Sequence, residues 1–144
     1  MRMLAVLLLA GLAIAQAPAY KAKPYGNLKQ VMRSVPLPNS DIIFGVQSKP
    51  PKNEMEWQAV ENAALGIQET SNLIMLPGRL RSNGQPVPVQ AADYIKYAQA
   101  LVSAGGKCLK AAQMKNLAAV GDCTDLLSES CDNCHKVYRD QPQK

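Results

Sequence analysis

Three chemically reactive side chains stand together near the end of the sequence, in the segment Cys131-Asp132-Asn133-Cys134-His135. The two thiols are three positions apart, and the imidazole lies four positions beyond the first thiol. On an α-helix these offsets place all three side chains on one face. Such a face presents two sulfur nucleophiles and one nitrogen ligand to a single group, and the chain has no other histidine.

The Cys-x-x-Cys-His spacing is the attachment signature of c-type haem. Each thiol can add to one vinyl group of the porphyrin to form a thioether, and the imidazole can then reach the iron as the proximal ligand. The motif therefore predicts one covalent haem c, held by Cys131 and Cys134, with His135 on the iron.

Other uses of the cysteines compete with this interpretation. A thioredoxin-like redox pair needs a βαβ context, of which the sequence shows no sign. A zinc site built from Cys108, Cys123, Cys131 and Cys134 would have spacings unlike common zinc patterns. A disulfide between Cys131 and Cys134 would close a very tight loop on a helix. The alternative from a different class is thus a non-haem bundle held by disulfides or zinc.

The N-terminus predicts export. Arg2 precedes an apolar run from Leu4 to Ala15 that ends in small residues. This pattern is typical of a secretory signal peptide over residues 1–15, cleaved after Ala15 to leave Gln16 first. The run is shorter than the ~20 residues of a membrane span, although an uncleaved anchor is the alternative. We expect a periplasmic or secreted protein without a stable membrane span. In such an oxidising compartment, cysteines that are not in disulfides must have another role.

Composition limits the classes of fold and function that remain possible. The chain has 144 residues, 47% of them apolar and 5% aromatic, which favours one helical domain over disorder or an aromatic-rich β-fold. Its net charge of +5 comes from basic residues interleaved with acidic ones, so no nucleic-acid-binding stripe is expected. We see no nucleophile–base pair and no paired carboxylates, so we do not expect an enzyme.

Hydrophobic periodicity predicts four amphipathic helices after a loose tail at residues 16–24. They cover residues 25–35, 54–76, 90–114 and 124–139. Pro36 and Pro38 should end the first helix, and residues 39–44 would form a helical turn capped by Asn39 or Ser40. Gly105-Gly106 would either kink the third helix or form a flat patch for a close neighbour.

Long helices with mostly short connections predict an all-α fold. We expect an antiparallel four-helix bundle over residues 25–144, with a C-terminal haem-attachment helix. Cys108 and Cys123 lie on either side of a predicted turn near residues 115–116, where they would face each other. We predict a disulfide between them, with two buried thiols as the alternative.

A bundle with Cys-x-x-Cys-His near its C-terminus resembles class II cytochrome c, the cytochrome c-prime group. That family follows the histidine with an aromatic and a basic residue, as Tyr138 and Arg139 do here. The resemblance is specific over the last helix, whereas over the rest of the chain it concerns only the arrangement of the helices. It implies a haem between the helices near one end of the bundle, with His135 as axial ligand. It also implies single-electron transfer with redox partner proteins and, by analogy with relatives, a homodimer.

The resemblance also identifies a sixth iron ligand. In low-spin members a methionine on the first helix binds the iron opposite the histidine, and Met32 is the candidate here. If Met32 only fills core space, the iron is five-coordinate and binds a small gas such as NO or CO, as in high-spin members. The double-proline break after Val35 departs from the family pattern and bears on the reach of this helix.

Four basic residues near the motif or in a loop are candidate partners for the haem propionates. They are Arg79, Arg81, Lys136 and Arg139. For each of them we predict solvated surface charge instead.

Overall fold

The computed structural model describes residues 20–139. Within this range the chain forms five helices: α1 (Leu28–Ser34), α2 (Pro36–Gly45), α3 (Glu54–Ile74), α4 (Ala92–Gln113) and α5 (Leu117–Tyr138). In the described residues, extended pairing is limited to one isolated bridge between Leu80 and Pro86. The predicted signal peptide, residues 16–19 of the predicted tail and residues 140–144 lie outside the described residues.

The two prolines expected to end the first helix begin the second one. Pro36 is the first residue of α2, and Pro38 lies in the same first turn. A helix makes no use of backbone N–H groups there, and the fixed φ of proline suits it. The expectation of a turn capped by Asn39 or Ser40 is therefore wrong, because Val35 occupies the N-cap position. Together α1 and α2 act as the first helix of the bundle, broken at Val35.

Helices α3 and α4 lie close to the predicted bounds. The Asn53 side chain caps α3 by accepting a 3.0 Å hydrogen bond from the Glu56 N–H. α4 runs unbroken through Gly105, where an added Cβ would lie 2.8 Å from Gln68 Cγ and 3.1 Å from the Gln68 backbone nitrogen. Gly105 thus allows α3 and α4 to approach closely, which confirms the flat-patch interpretation with α3 as the neighbour.

Helix α5 begins at Leu117, well before the predicted start near Thr124. Asn116 caps it by accepting a 3.0 Å hydrogen bond from the Ala119 N–H. Gly121, which precedes the predicted start of the helix, lies inside it. An added Cβ at Gly121 would come within 2.9 Å of the Gln47 amide nitrogen, so this glycine makes room for the end of α2.

Apolar side chains from all five helices form one core. α4 packs between α3 and α5, α2 packs on α3, and α1 packs on α2 and α3. A small contact between α2 and α5 closes the ring. The prediction of an all-α antiparallel four-helix bundle is confirmed. No helix within residues 20–139 has both the length and the apolar character that a membrane crossing requires.

Cys108 and Cys123 form the predicted disulfide between α4 and α5. Their Cα atoms are 5.2 Å apart, and both side chains are fully buried. The bond fixes α5 to α4 two turns before Cys131. It therefore sets where the reactive face of α5 lies relative to the rest of the bundle.

Candidate functional site

The last two turns of α5 carry Cys131, Cys134 and His135. Cys131 packs against the bundle core, and all three residues are partly exposed rather than sealed in the interior. Their common helix gives them the shared face predicted from the spacing. The structure thus places the two thiols and the imidazole on the same two turns of α5.

Cys131 and Cys134 are free thiols, in contrast to the disulfide-bonded pair. Burial raises the pKa of Cys131, a hydrogen bond from Ser130 partly lowers it, and the charge of Asp132 raises it further. Burial also raises the pKa of Cys134 to about 11, with smaller contributions from Cys131 and Asp93. Both groups are therefore protonated thiols at neutral pH, the form that carries the hydrogen needed for addition across a vinyl group.

His135 is half-buried near the end of the same helix. Burial is the main cause of the lowering of its pKa, and the charge of Arg139 lowers it further, against an opposing effect of Asp132. The imidazole is therefore neutral at neutral pH. A neutral imidazole has a lone pair available for iron, so the electrostatic environment suits the role of a ligand.

A tyrosine cluster of Tyr94, Tyr97 and Tyr138 joins the start of α4 to the end of α5. The Tyr138 ring centroid lies 5.0 Å from that of Tyr94 and 6.1 Å from that of Tyr97, both edge to face. The Tyr138 hydroxyl donates a 2.7 Å hydrogen bond to Asp93 Oδ2. These contacts fix the last turn of α5, one turn beyond His135, and the sequence pattern did not indicate them.

The two flanks of α5 differ. One flank packs on α4 through the disulfide and the tyrosine cluster. On the other, α2 meets the beginning of α5, where the Gln47 amide donates a 3.2 Å hydrogen bond to the Leu117 carbonyl. That contact is at the opposite end of α5 from Cys131. Near the motif this second flank of α5 is only partly covered, in keeping with the partial exposure of Cys131, Cys134 and His135.

The side chains present fit a c-type haem. The donor set consists of two protonated thiols and one neutral imidazole on one face of a helix, at a partly open edge. A four-cysteine zinc site does not fit, because Cys108 and Cys123 are bonded to each other. Within residues 20–139 no group of three or more His, Cys, Asp or Glu side chains is placed to hold a metal ion.

Two surface grooves lie between helices, and the second reaches Asn133 of the motif. A groove of about 570 Å³ runs between α2 and α3 and includes Ile42 and Val60. A second, of about 240 Å³, runs between α4 and α5 and includes Lys107 and Ser130. Neither is lined by the thiols or the imidazole.

Met32 lies on α1, partly buried against the core that Cys131 also borders. Its helix packs on α2 and α3. The start of α1 lies at the same end of the bundle as the motif, because the Leu28 N–H donates a 2.8 Å hydrogen bond to the Leu80 carbonyl in the α3–α4 connection. Ligation of iron by Met32 stays a prediction.

Arg79 departs from the expectation of a solvated charge. It is 4% exposed; its Nε donates a 3.0 Å hydrogen bond to the Leu73 carbonyl, and its Nη1 donates to the Gly26 carbonyl. Burial lowers its pKa, with a smaller opposing effect of Tyr94. Arg79 therefore ties the chain before α1 to the end of α3. Its place in a loop, between Gly78 and Leu80, had suggested no such role.

The other three basic residues lie nearer the surface. Lys136 and Arg139 are exposed, as predicted, while Arg81 is partly buried and its Nη2 lies 3.5 Å from the Tyr138 carbonyl oxygen.

Comparison with protein-family models, with curated proteins and with solved structures finds no match. The functional assignment therefore depends on the motif and its surroundings alone.

Proposed function

We propose that the protein is an exported c-type cytochrome that carries single electrons between protein partners. The observation that carries the proposal is the Cys-x-x-Cys-His face of α5, with two free thiols and a lone imidazole beside a separate disulfide. Haem c supplies the one-electron iron couple when it is bound. The signal-peptide pattern at residues 1–15 supports export, and with it the compartment in which a c-type haem is attached.

Each motif residue has a separate task in this proposal. Cys131 and Cys134 would hold the haem through thioethers, each formed by addition of the S–H across a vinyl group. His135 would supply its imidazole as an iron ligand. The disulfide and the tyrosine cluster hold α5 in place at both ends of the motif. The protein's part is to fix the haem and to control its access to water.

Met32 is the proposed sixth ligand. Methionine and histidine ligation together would raise the reduction potential of the iron, which suits an electron carrier. One observation favours a second function: Met32 is packed against the core, where it would serve as filler. The iron would then be five-coordinate and bind NO or CO.

The haem proposal is tested by expressing the chain with a cytochrome c maturation system. A pyridine haemochrome spectrum typical of c-type haem, and an intact mass higher by one haem, are the expected results. Cys131→Ala/Cys134→Ala should give a colourless chain. Cys108→Ala/Cys123→Ala is the matched control, which loses the same number of cysteines elsewhere and should still bind haem. A colourless wild-type chain with the mass of the bare polypeptide would remove both haem functions and leave the non-haem bundle.

Substitution of Met32 separates the two haem functions. Met32→Ala should convert a low-spin ferric spectrum to a high-spin one and allow CO to bind the reduced protein. Met75→Ala, on another helix end, is the control and should leave the spectrum unchanged. A wild-type protein that is already high-spin and takes up CO would identify the gas-binding function.

A further inference from the structure

The charged residues of the bundle are sorted between its two ends. The fold gathers residues 20–34, 75–97 and 132–139 at the end that carries the motif. Hydrogen bonds join these segments, from Leu28 to the Leu80 carbonyl and from Tyr138 to Asp93. We call this part of the molecule the basic end. It contains nine basic and two acidic residues, whereas residues 40–62 and 107–125 at the opposite end contain five and six.

Seven of the nine basic side chains at the basic end are exposed, whereas Arg79 is buried and Arg81 is partly buried. Lys29 and Arg33 on α1, Lys96 on α4 and Lys136 on α5 are exposed, and none of them forms an ion pair with another described residue. One of the two acidic residues, Asp93, already accepts the hydrogen bond of Tyr138. Exposed basic residues therefore outnumber the acidic ones in the described part of this end, which carries the Cys-x-x-Cys-His motif.

Exposed apolar side chains lie among these charges. Tyr25 is 88% exposed, Leu80 49% and Val137 53%. Apolar and aromatic groups surrounded by basic side chains are the composition of a transient protein–protein interface, with an apolar centre and a charged rim. We favour a protein over a nucleic acid as the partner, because the signal-peptide pattern at residues 1–15 predicts export from the compartment that holds nucleic acid.

We propose that the basic end docks an acidic surface of a redox partner protein, so that the partner meets the bundle at the haem edge. This rests on the proposed electron-carrier function. Opposite charge would raise the rate of encounter and orient the partner, and the apolar residues would provide close contact once it has docked.

The test reverses charge at each end of the haem-loaded protein. Lys29→Glu/Arg33→Glu changes the basic end, and Lys107→Glu/Lys110→Glu makes the same change in net charge on exposed residues at the opposite end. The measurement is stopped-flow oxidation of the reduced protein by hexacyanoferrate(III), an anion, and by tris(phenanthroline)cobalt(III), a cation. Poly-L-glutamate serves as a competing acidic chain. A haemochrome assay on every variant reports failure of the proposed function separately.

At an ionic strength of about 10 mM, we expect the basic-end variant to react with the anion about tenfold more slowly than wild type, and the control to react less than about threefold more slowly. The cation should show the opposite order, and about 1 M salt should remove the differences. Poly-L-glutamate should inhibit wild type and the control but not the basic-end variant. Lys29→Gln/Arg33→Gln should give an intermediate rate, which guards against a folding defect.

Equal slowing by both pairs would overturn the proposal, because net charge alone would then explain the rates. A second result would also overturn it. If wild type binds phosphatidylcholine vesicles containing phosphatidylglycerol at about 0.15 M salt and the basic-end variant does not, the basic end recognises lipid.

Discussion

Tyr138 and Asp93 are joined by a 2.7 Å hydrogen bond that links the last turn of α5 to the first turn of α4. The bond lowers the pKa of Asp93 and is the main cause of the rise in the pKa of Tyr138 to about 12. Because it closes the helix end just beyond His135, it holds the reactive face of α5 against fraying.

This bond gives the stability of the protein a pH dependence at both extremes. Asp93 has a lowered folded pKa, so its contribution is present above its ordinary value of 3.8 and is lost as the pH falls through the folded pKa. Tyr138 has a raised folded pKa, so its contribution is present below 10.0 and is lost as the pH rises towards 12. Tyr138→Phe should be less stable than wild type at pH 7, and this difference should shrink at pH 3.

Urea unfolding followed by circular dichroism at these pH values measures the difference. Tyr97→Phe is the matched control, because it loses a hydroxyl from the same tyrosine cluster without breaking the bond to Asp93. A stability difference between wild type and Tyr138→Phe that is the same at pH 3 and pH 7 would contradict the expectation.

Gly105 and Gly106 are adjacent on α4 but should respond to substitution in opposite ways. A Cβ on Gly105 would lie 3.1 Å from the Gln68 backbone nitrogen and 3.1 Å from Ile67 Cγ2, which cannot move without shifting α3. Gly105→Ala should therefore destabilise the fold by about 1–3 kcal/mol. A Cβ on Gly106 meets only the Gln68 side chain, at 3.0 Å from its amide nitrogen. Gly106→Ala should be neutral or stabilising by up to about 1 kcal/mol, because alanine favours helix.

The denaturant concentration at the unfolding midpoint of each variant tests this expectation, provided that the free energy of unfolding falls with denaturant at the same slope in both variants. Two variants that lose stability equally would show that α3 and α4 are not in close contact at Gly105.

Sequence periodicity predicts the long helices well because it reports a buried face, and it predicts their ends less well. The predicted start of α5 near Thr124 left Gly121 outside the helix, as glycine often marks a turn, but this glycine lies within the helix and makes room for Gln47 from a distant segment. Pro36 and Pro38 likewise suggested an end where α2 begins. In both cases a local signal had two structural uses, and only tertiary contacts distinguish them.

At the candidate site, too, local geometry could be predicted from the sequence and long-range contacts could not. The spacing of Cys131, Cys134 and His135 predicts a shared helix face, because it depends on local geometry alone. The hydrogen bond between Tyr138 and Asp93 joins positions far apart in sequence, which no local pattern indicates. The clustering of positive charge has the same origin: basic residues that are dispersed along the chain become neighbours only when antiparallel helices bring their ends together.

Arg79 should be a structural residue in spite of its charge. It is nearly inaccessible, and its guanidinium donates to the carbonyl oxygens of Leu73 and Gly26. Arg79→Ala would remove both part-buried hydrogen bonds, at a cost of about 1.5–3 kcal/mol for hydrogen bonds to a charged group. Exposed Lys96→Ala is the control and should change stability by less than about 0.5 kcal/mol. Thermal unfolding measures both, and equal melting temperatures would show that the Arg79 contacts contribute nothing.

The disulfide should stabilise the bundle independently of the haem. Cys108 and Cys123 are 15 positions apart, and closing a loop of that length contributes about 3 kcal/mol by restricting the unfolded chain. Cys108→Ala/Cys123→Ala should lower the free energy of unfolding by about this amount while leaving the haemochrome spectrum unchanged. Thiol labelling of the denatured haem-loaded protein should detect no thiol without reductant and two after reduction. Two labelled thiols before reduction would show that Cys108 and Cys123 are not bonded. A lost haemochrome signal in the double variant would show instead that the haem site depends on the α4–α5 link.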